Sequence, residues 1–527
     1  MPGSGPSPAV RSARRSLALA LTALAVACTQ PPPDALESPV PGPTFSPPAT
    51  LRVGIGPVGT LDPAELQTQD ELLVAAQVFD GLVEVGPAGE IVPAAARTWE
   101  VADGGARFVF RLGDSAFHDG SPVRADDFVF AWERLVDPVE PRPFAFLLEE
   151  VEGFREHRLT FGARPLTGLV AGDEATLEVT LREPNLGFLA LLAHPALSPV
   201  PEGSSAGDLA VRPIGNGPYA PTEDLGLATP IVLEAAAGAE VGVPRVVLRP
   251  TAEPDEAWPE FVARELDVAR IPSTLVGDTE DEEGVRTIGR LLYCGFNLES
   301  DRFSQRLRSA VSMGIDRQAL VRGVYGGLAV PADGLVPPTF PGYRPGACGE
   351  RCELARERAE ELVSELPRRE RAFRLDFPRS SVGSGVAESY RDQLAQVGLT
   401  VQLRGHDDED YARLLQAGEQ AAFCLVWVAD AATPQAILDP LLSAGSPDNR
   451  TRIEDEELER LLTEARTTRS AEDREELYVA AERRALEVLP VVPLAWFRSS
   501  VAAQEYVAGL EVDPLGRFDL GALAFDG

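Results

Sequence analysis

Lysine is missing from all 527 residues, so each of the 48 basic residues is arginine. A G+C-rich codon bias together with a salty habitat is the expected reason, so the charge says little about a ligand. Histidine is scarce, at four, and none of His118, His157, His194 and His406 lies near a cysteine in sequence. HExxH and GxxxxGKS or GxxxxGKT are absent, which removes the common signatures of a zinc protease and a phosphate-binding loop. No apolar run after residue 27 is long enough to span a membrane. Positive charge is outweighed by 82 acidic residues, giving −34. Loss of residues 1–27, which hold three Arg and no acid, would take that to −37. Nucleic acid and other polyanions are therefore disfavoured partners.

What is present begins at the N-terminus. Arg11, Arg14 and Arg15 precede an apolar run of eleven residues, Leu17 to Ala27, that stops at Cys28. A bilayer-spanning helix needs about twenty residues, so the run fits a signal segment ending at a lipid-attachment cysteine. Residues 1–27 are expected to be the signal peptide. Residues 28–50 carry eight prolines between Thr29 and Thr50 and no apolar periodicity, which predicts an extended tether. The body from Leu51 onward is too long for one core and is expected to divide into lobes.

Five cysteines leave four once Cys28 is assigned to lipid. Cys348 and Cys352 are close enough in sequence for a local bridge, which would leave Cys294 with Cys424. A CxxxC metal site is the alternative. The exported context favours disulfides, and no metal or cofactor is expected.

One chemical motif matches by letters alone. Gly54-Ile-Gly56-Pro-Val-Gly59 spells GxGxxG after a short strand, but Pro57 lacks the N–H that a pyrophosphate would need. Period-two alternation marks strands at Phe108, Phe110 and Leu112, and at Leu177, Val179 and Leu181. A helix starts near Ala125 with Phe128, Ala131, Trp132 and Leu135 inward. From Ser304 the pattern turns more helical, with Asp316 as an N-cap and helices through Leu354 to Leu362, Leu458 to Ala465 and Leu477 to Ala481. Strand-like runs at 373–377, 400–403, 421–428 and 491–497 separate them, so both halves read as α/β.

Ordered segments then carry a resemblance. They include Thr60-Leu-Asp-Pro63, Val78-Phe-Asp-Gly-Leu82, Phe117-His-Asp-Gly-Ser-Pro-Val-Arg-Ala-Asp-Asp-Phe128 and Gly215-Asn-Gly-Pro-Tyr219. Arg308-Ser-Ala-Val-Ser-Met-Gly-Ile-Asp-Arg317 and Trp427-Val-Ala-Asp430 follow. Together the chain resembles the family-5 extracellular solute-binding proteins, peptide-binding lipoproteins that feed ABC importers. The resemblance implies an α/β, two-lobed periplasmic-binding-protein-like fold of type II, with an inserted sub-domain and a hinge between lobes. Residues 51–85, 199–286 and 489–527 would form lobe I, 87–198 the insertion and 287–488 lobe II.

The resemblance also implies a site. In oligopeptide-binding members the aspartate matching Asp430 pairs with the ligand's α-amino group, and backbone matching Trp427 and Val428 adds a strand to an extended peptide. Gln67 to Gln69 would face it from the other lobe, Gln69 included, and Trp496 and Phe144 move toward the cleft. A disulfide in some members implies Cys294 with Cys424, leaving Cys348 with Cys352. Two positions depart from the family pattern: Ala431 replaces an aromatic residue, and Cys424 stands where some members aim a cation at the peptide carboxylate. The expected function is that of a lipid-anchored, monomeric substrate-binding protein on the outer face of a bacterial membrane. It would deliver a peptide or small solute to an ABC permease and do no chemistry. A surface signalling or adhesion protein that keeps the fold without transport is the alternative.

Overall fold

Alternating burial along two long strands organises the molecule. In the computed structural model, which describes residues 49–527 apart from 87–88, 141, 161–163, 227–228, 278–283 and 527, these are Val285–Phe296 and Val491–Ala503. The expected signal segment and Cys28 lie outside the described residues. On Val285–Phe296, Leu291 and Tyr293 enter one apolar cluster, while Leu292, Cys294 and Phe296 enter another on the opposite face. That is the period of a strand buried on both sides. Helices Gln435–Leu442, Glu456–Thr467 and Ala471–Val488 pack on the first face. Helices Gln305–Gly314, Arg317–Tyr325 and Ser381–Gln396 pack on the second.

The two strands also run between lobes in one eleven-stranded sheet. On the second-lobe side the order continues through Ala422–Val428, Ala372–Pro378 and Thr400–His406. On the first-lobe side it passes Val268–Arg270, Leu51–Ile55 and Arg245–Pro250. The strand Val491–Ala503 serves both: Val491 to Ser500 pair with Val285–Phe296, and Val501 to Ala503 pair with Val268–Arg270. A boundary at residue 489 therefore sits ahead of the crossing, because Val491, Val492, Leu494 and Trp496 belong to second-lobe cores.

The insertion forms a four-stranded sheet, Ala96–Ala102, Arg107–Leu112, Thr176–Thr180 and Leu169–Asp173, beside helix Ala125–Leu135. Phe108, Phe110 and Trp132 share one apolar cluster with Val53 and Leu73, so the insertion has no core of its own. Polar motifs fix the first lobe and tie the insertion to it. Asn216 accepts from the Asp80 amide and donates to the Asp80 carbonyl, both at 3.1 Å. His118 donates from Nε2 to the Gly217 carbonyl at 3.0 Å and accepts at Nδ1 from the Gly215 amide at 3.3 Å. A Cβ on Gly215 would fall 1.9 Å from the Val78 carbonyl oxygen, so only glycine fits there.

Sequence and structure differ at Leu354, read as inward on a helix; it is exposed, and the helix runs Arg356–Ser364. Both disulfides form in the structure, Cys294 with Cys424 and Cys348 with Cys352. The first links residues that oppose each other across antiparallel strands. It closes a loop of 130 residues, against 4 for the second. In the chain-entropy picture those loops correspond to about 5 and about 2 kcal/mol. Replacing Cys294 and Cys424 together by alanine should lower stability in urea unfolding clearly more than replacing Cys348 and Cys352. Equal losses would show that loop length does not set the effect.

Candidate functional site

A cleft of about 850 Å³ opens where the lobes meet. Gln69, Arg270 and Ile271 line it from the first lobe, and Val386, Tyr411 and Val426 from the second. Arg290 and Phe497, on the crossing strands, also line it. A volume of this size accommodates a small ligand.

The first-lobe wall is held by local hydrogen bonding. Thr68 caps helix Gln69–Val78, its hydroxyl accepting from the Glu71 amide, while Glu71 accepts from the amides of Gln67, Thr68 and Gly59. Asp70 then pairs with Arg270 at 2.8 Å. A Cβ on Gly56 would meet an Asp70 carboxylate oxygen at 2.4 Å, and one on Gly54 would press on Leu266. The GxGxxG letters therefore serve packing and the Asp70 carboxylate.

Strand Ala422–Val428 presents an edge. Asn297 donates to the Ala421 carbonyl and Ala429 to the Gly289 carbonyl, each as members of hydrogen-bonded cross-strand pairs. By antiparallel alternation, Leu425 and Trp427 direct their backbone groups at the neighbour strand, whereas Val426 and Val428 direct theirs away. On that outer side strand Ala372–Pro378 pairs only with Ala422 and Phe423. Among the described residues no backbone partner meets Val426 or Val428 there. Val428 is 41% exposed.

Asp430 follows two residues later. It is half-buried and makes no hydrogen bond or ion pair among the described residues. Burial, reinforced by Asp448, pushes its carboxyl up to about 7. Asp448 has its own partner in Arg450 at 2.7 Å.

The other expected residues are placed elsewhere. Trp427 turns to the second-lobe core and donates from Nε1 to the Ala436 carbonyl at 2.8 Å. Trp496 is buried at 2% exposure, edge-on to Tyr343, and offers the cleft no surface. Phe144 packs on the first-lobe core with its ring 4.4 Å from that of His194. Gln69 lines the cleft, and Val428 and Asp430 lie just along the strand from lining residues Leu425 and Val426. Ala431 is buried and Cys424 is bridged, so neither supplies a ligand contact of the family kind. Reading the sequence missed Arg290 and Phe497. The available signal was a lone arginine inside the apolar run Ile288-Gly289-Arg290-Leu291-Leu292. No cluster of three or more His, Cys, Asp or Glu that could hold a metal occurs among the described residues.

Comparison with known proteins agrees with this architecture. Residues 90–449 match the family model described as bacterial extracellular solute-binding proteins, family 5 Middle. The chain is 27% identical to the periplasmic oligopeptide-binding protein OppA of Escherichia coli (strain K12), covering 87% of this chain and 89% of that protein. It is 26% identical to the dipeptide-binding protein DppE of Bacillus subtilis (strain 168), covering 84% and 86%. The solved structure of the Escherichia coli murein tripeptide binding protein MppA superposes with a TM-score of 0.69 at 25% identity, covering 90% and 98%.

The raised pKa of Asp430 sets a pH dependence. The folded protein holds that proton more tightly than the unfolded chain, so its contribution to stability is complete below about pH 4 and lost as pH rises through about 7. Asp430→Asn should therefore raise the melting temperature at pH 8 and leave it unchanged at pH 4. A shift of this size is worth at most about 4 kcal/mol, and solvent at the half-open site reduces it. Equal melting of both proteins at pH 8 would place Asp430 in an ordinary solvated setting.

Proposed function

Because the chain belongs to the bacterial extracellular solute-binding proteins of family 5, we propose that it captures a peptide or related solute between its lobes and hands it to a membrane ABC permease. Members of this family bind solutes and are not enzymes, so the site is read for recognition. The observation that carries the reading is the strand edge at Val426 and Val428, which runs from the cleft lining toward Asp430, a carboxylate without a hydrogen bond or ion pair among the described residues. An extended peptide offers that edge backbone groups of its own, which is recognition by strand addition. Its α-amino group meets Asp430, a carboxylate whose burial is offset only when a cation arrives. The name of one relative, an oligopeptide-binding protein, agrees with that chemistry.

The remaining parts of the reading follow from the N-terminus and the hinge. Cys28 carries the lipid, residues 28–50 form the tether, and a monomer works at the outer face of the membrane. The lobes close about the crossing strands near Thr287 and Arg498, as rigid bodies hinged at a few residues.

Removing one partner of a buried charge pair typically costs about 2 to 5 kcal/mol. Asp430→Ala should therefore weaken binding of a peptide with a free N-terminus by roughly thirtyfold or more, measured by calorimetry. The same peptide N-acetylated should bind wild type and variant alike. Unchanged affinity for the free peptide, with an intact melting transition, would remove Asp430 from the site.

A further inference from the structure

Three arginines line the cleft, and two have visible partners. Arg270 pairs with Asp70, and Arg498 donates to the carbonyls of Gly277 and Gly327. Arg290 differs. Its Nε is buried without a hydrogen-bond partner, and no ion pair or hydrogen bond reaches its guanidinium among the described residues.

The backbone explains how it comes to be there. Thr287 pairs with Arg498 but Leu291 pairs with Trp496, so four residues advance on one strand while two advance on the other. Ile288, Gly289 and Arg290 thus stand opposite Phe497 alone. Such a bulge re-aims a side chain. The Arg290 guanidinium lies over the Phe497 ring, 4.6 Å from its centre, and Tyr325 meets that ring edge-on at 5.0 Å. The aromatic pair fixes the guanidinium and supplies a cation–π contact, but it supplies no anion. Glu253, Asp255 and Asp408 line the same cleft, yet among the described residues no carboxylate forms an ion pair with Arg290. Burial pulls its pKa below the usual arginine value, as befits a cation without a counter-charge.

We propose that Arg290 is the anchor for a carboxylate on the ligand, which for a peptide is its C-terminal carboxylate. The inference rests on the peptide-binding reading and goes beyond it by naming the cation. Arginine presents a planar fork of N–H donors that matches a carboxylate bidentately. The position where some family members place a cation is Cys424, which is bridged to Cys294. Arg290 sits four residues before that cystine on the partner strand, directly opposite Val428. The site then offers a donor for a carboxylate at Arg290 in the cleft and an acceptor for an ammonium at Asp430 just along the strand from it. That complementarity selects zwitterions over amides and esters.

Calorimetry of the purified protein, stripped of retained ligand, tests this with a pool of tripeptides to pentapeptides prepared as free acids or as C-terminal amides. Wild type should bind the acids at least tenfold more tightly than the amides. Arg290→Gln should abolish that preference, and Arg290→Lys should keep part of it. Equal binding of acids and amides by wild type, or a tenfold preference that survives in Arg290→Gln, would overturn the assignment and leave the peptide reading standing. Failure of both peptide forms to bind wild type would overturn the peptide reading and this assignment with it.

Discussion

Two antiparallel strands carry the chain between lobes, and they cannot keep one register across the passage. The slip between Thr287 and Leu291 opposite Phe497 is the feature on which the rest depends. It leaves three residues without cross-strand partners on one side, which is where a sheet can bend. It also decides what the cleft sees. Side chains alternate along a strand, so a shift of one residue moves a side chain to the opposite face. Phe497 lines the cleft, and Trp496 is committed to the second-lobe core.

Buried charges fall into two kinds. Arg308 and Arg317 bound the segment Arg308-Ser-Ala-Val-Ser-Met-Gly-Ile-Asp-Arg317, and burial lowers both to about 10. Each is nonetheless satisfied by carbonyls: Arg308 by Val488 and Phe303, Arg317 by Pro493, Ser312 and Cys352. Glu482 is the acidic counterpart, accepting from the amides of Leu335 and Val336. These groups are saturated and hold elements together. Asp430 and Arg290 are the contrast, an acid and a base that make no hydrogen bond or ion pair through their side chains among the described residues. A buried charge left open is tolerated where a ligand completes it.

Much of the fold is legible in the sequence because burial imposes periodicity. The strands at 373–377, 400–403 and 421–428 are found at Ala372–Pro378, Thr400–His406 and Ala422–Val428. Asp316 caps its helix through the Ala319 amide. Helix Ser381–Gln396 is not legible at its start, because Ser381-Val-Gly-Ser-Gly385 has the composition of a loop. It forms because Ser380 caps it and Val386, Ala387, Tyr390 and Leu394 bury one face. The site is less legible than the fold. Trp496 and Phe144 are large aromatics that a core takes up as readily as a cleft does, and only the strand slip and the His194 contact decide their places. Arg290 escapes because its meaning lies in what fails to meet it, which no sequence pattern displays.

The central claim is that the ligand completes the sheet at the outer edge of Ala422–Val428. Hydrogen–deuterium exchange resolved at the amides of Val426 and Val428 addresses it directly, since these groups have no backbone partner among the described residues and would be hydrogen-bonded by an extended peptide. A saturating peptide with free termini should slow both amides strongly and leave those of Leu425 and Trp427, already paired with the neighbour strand, little changed. Exchange at Val426 and Val428 that stays as fast with bound peptide as without it would contradict strand addition.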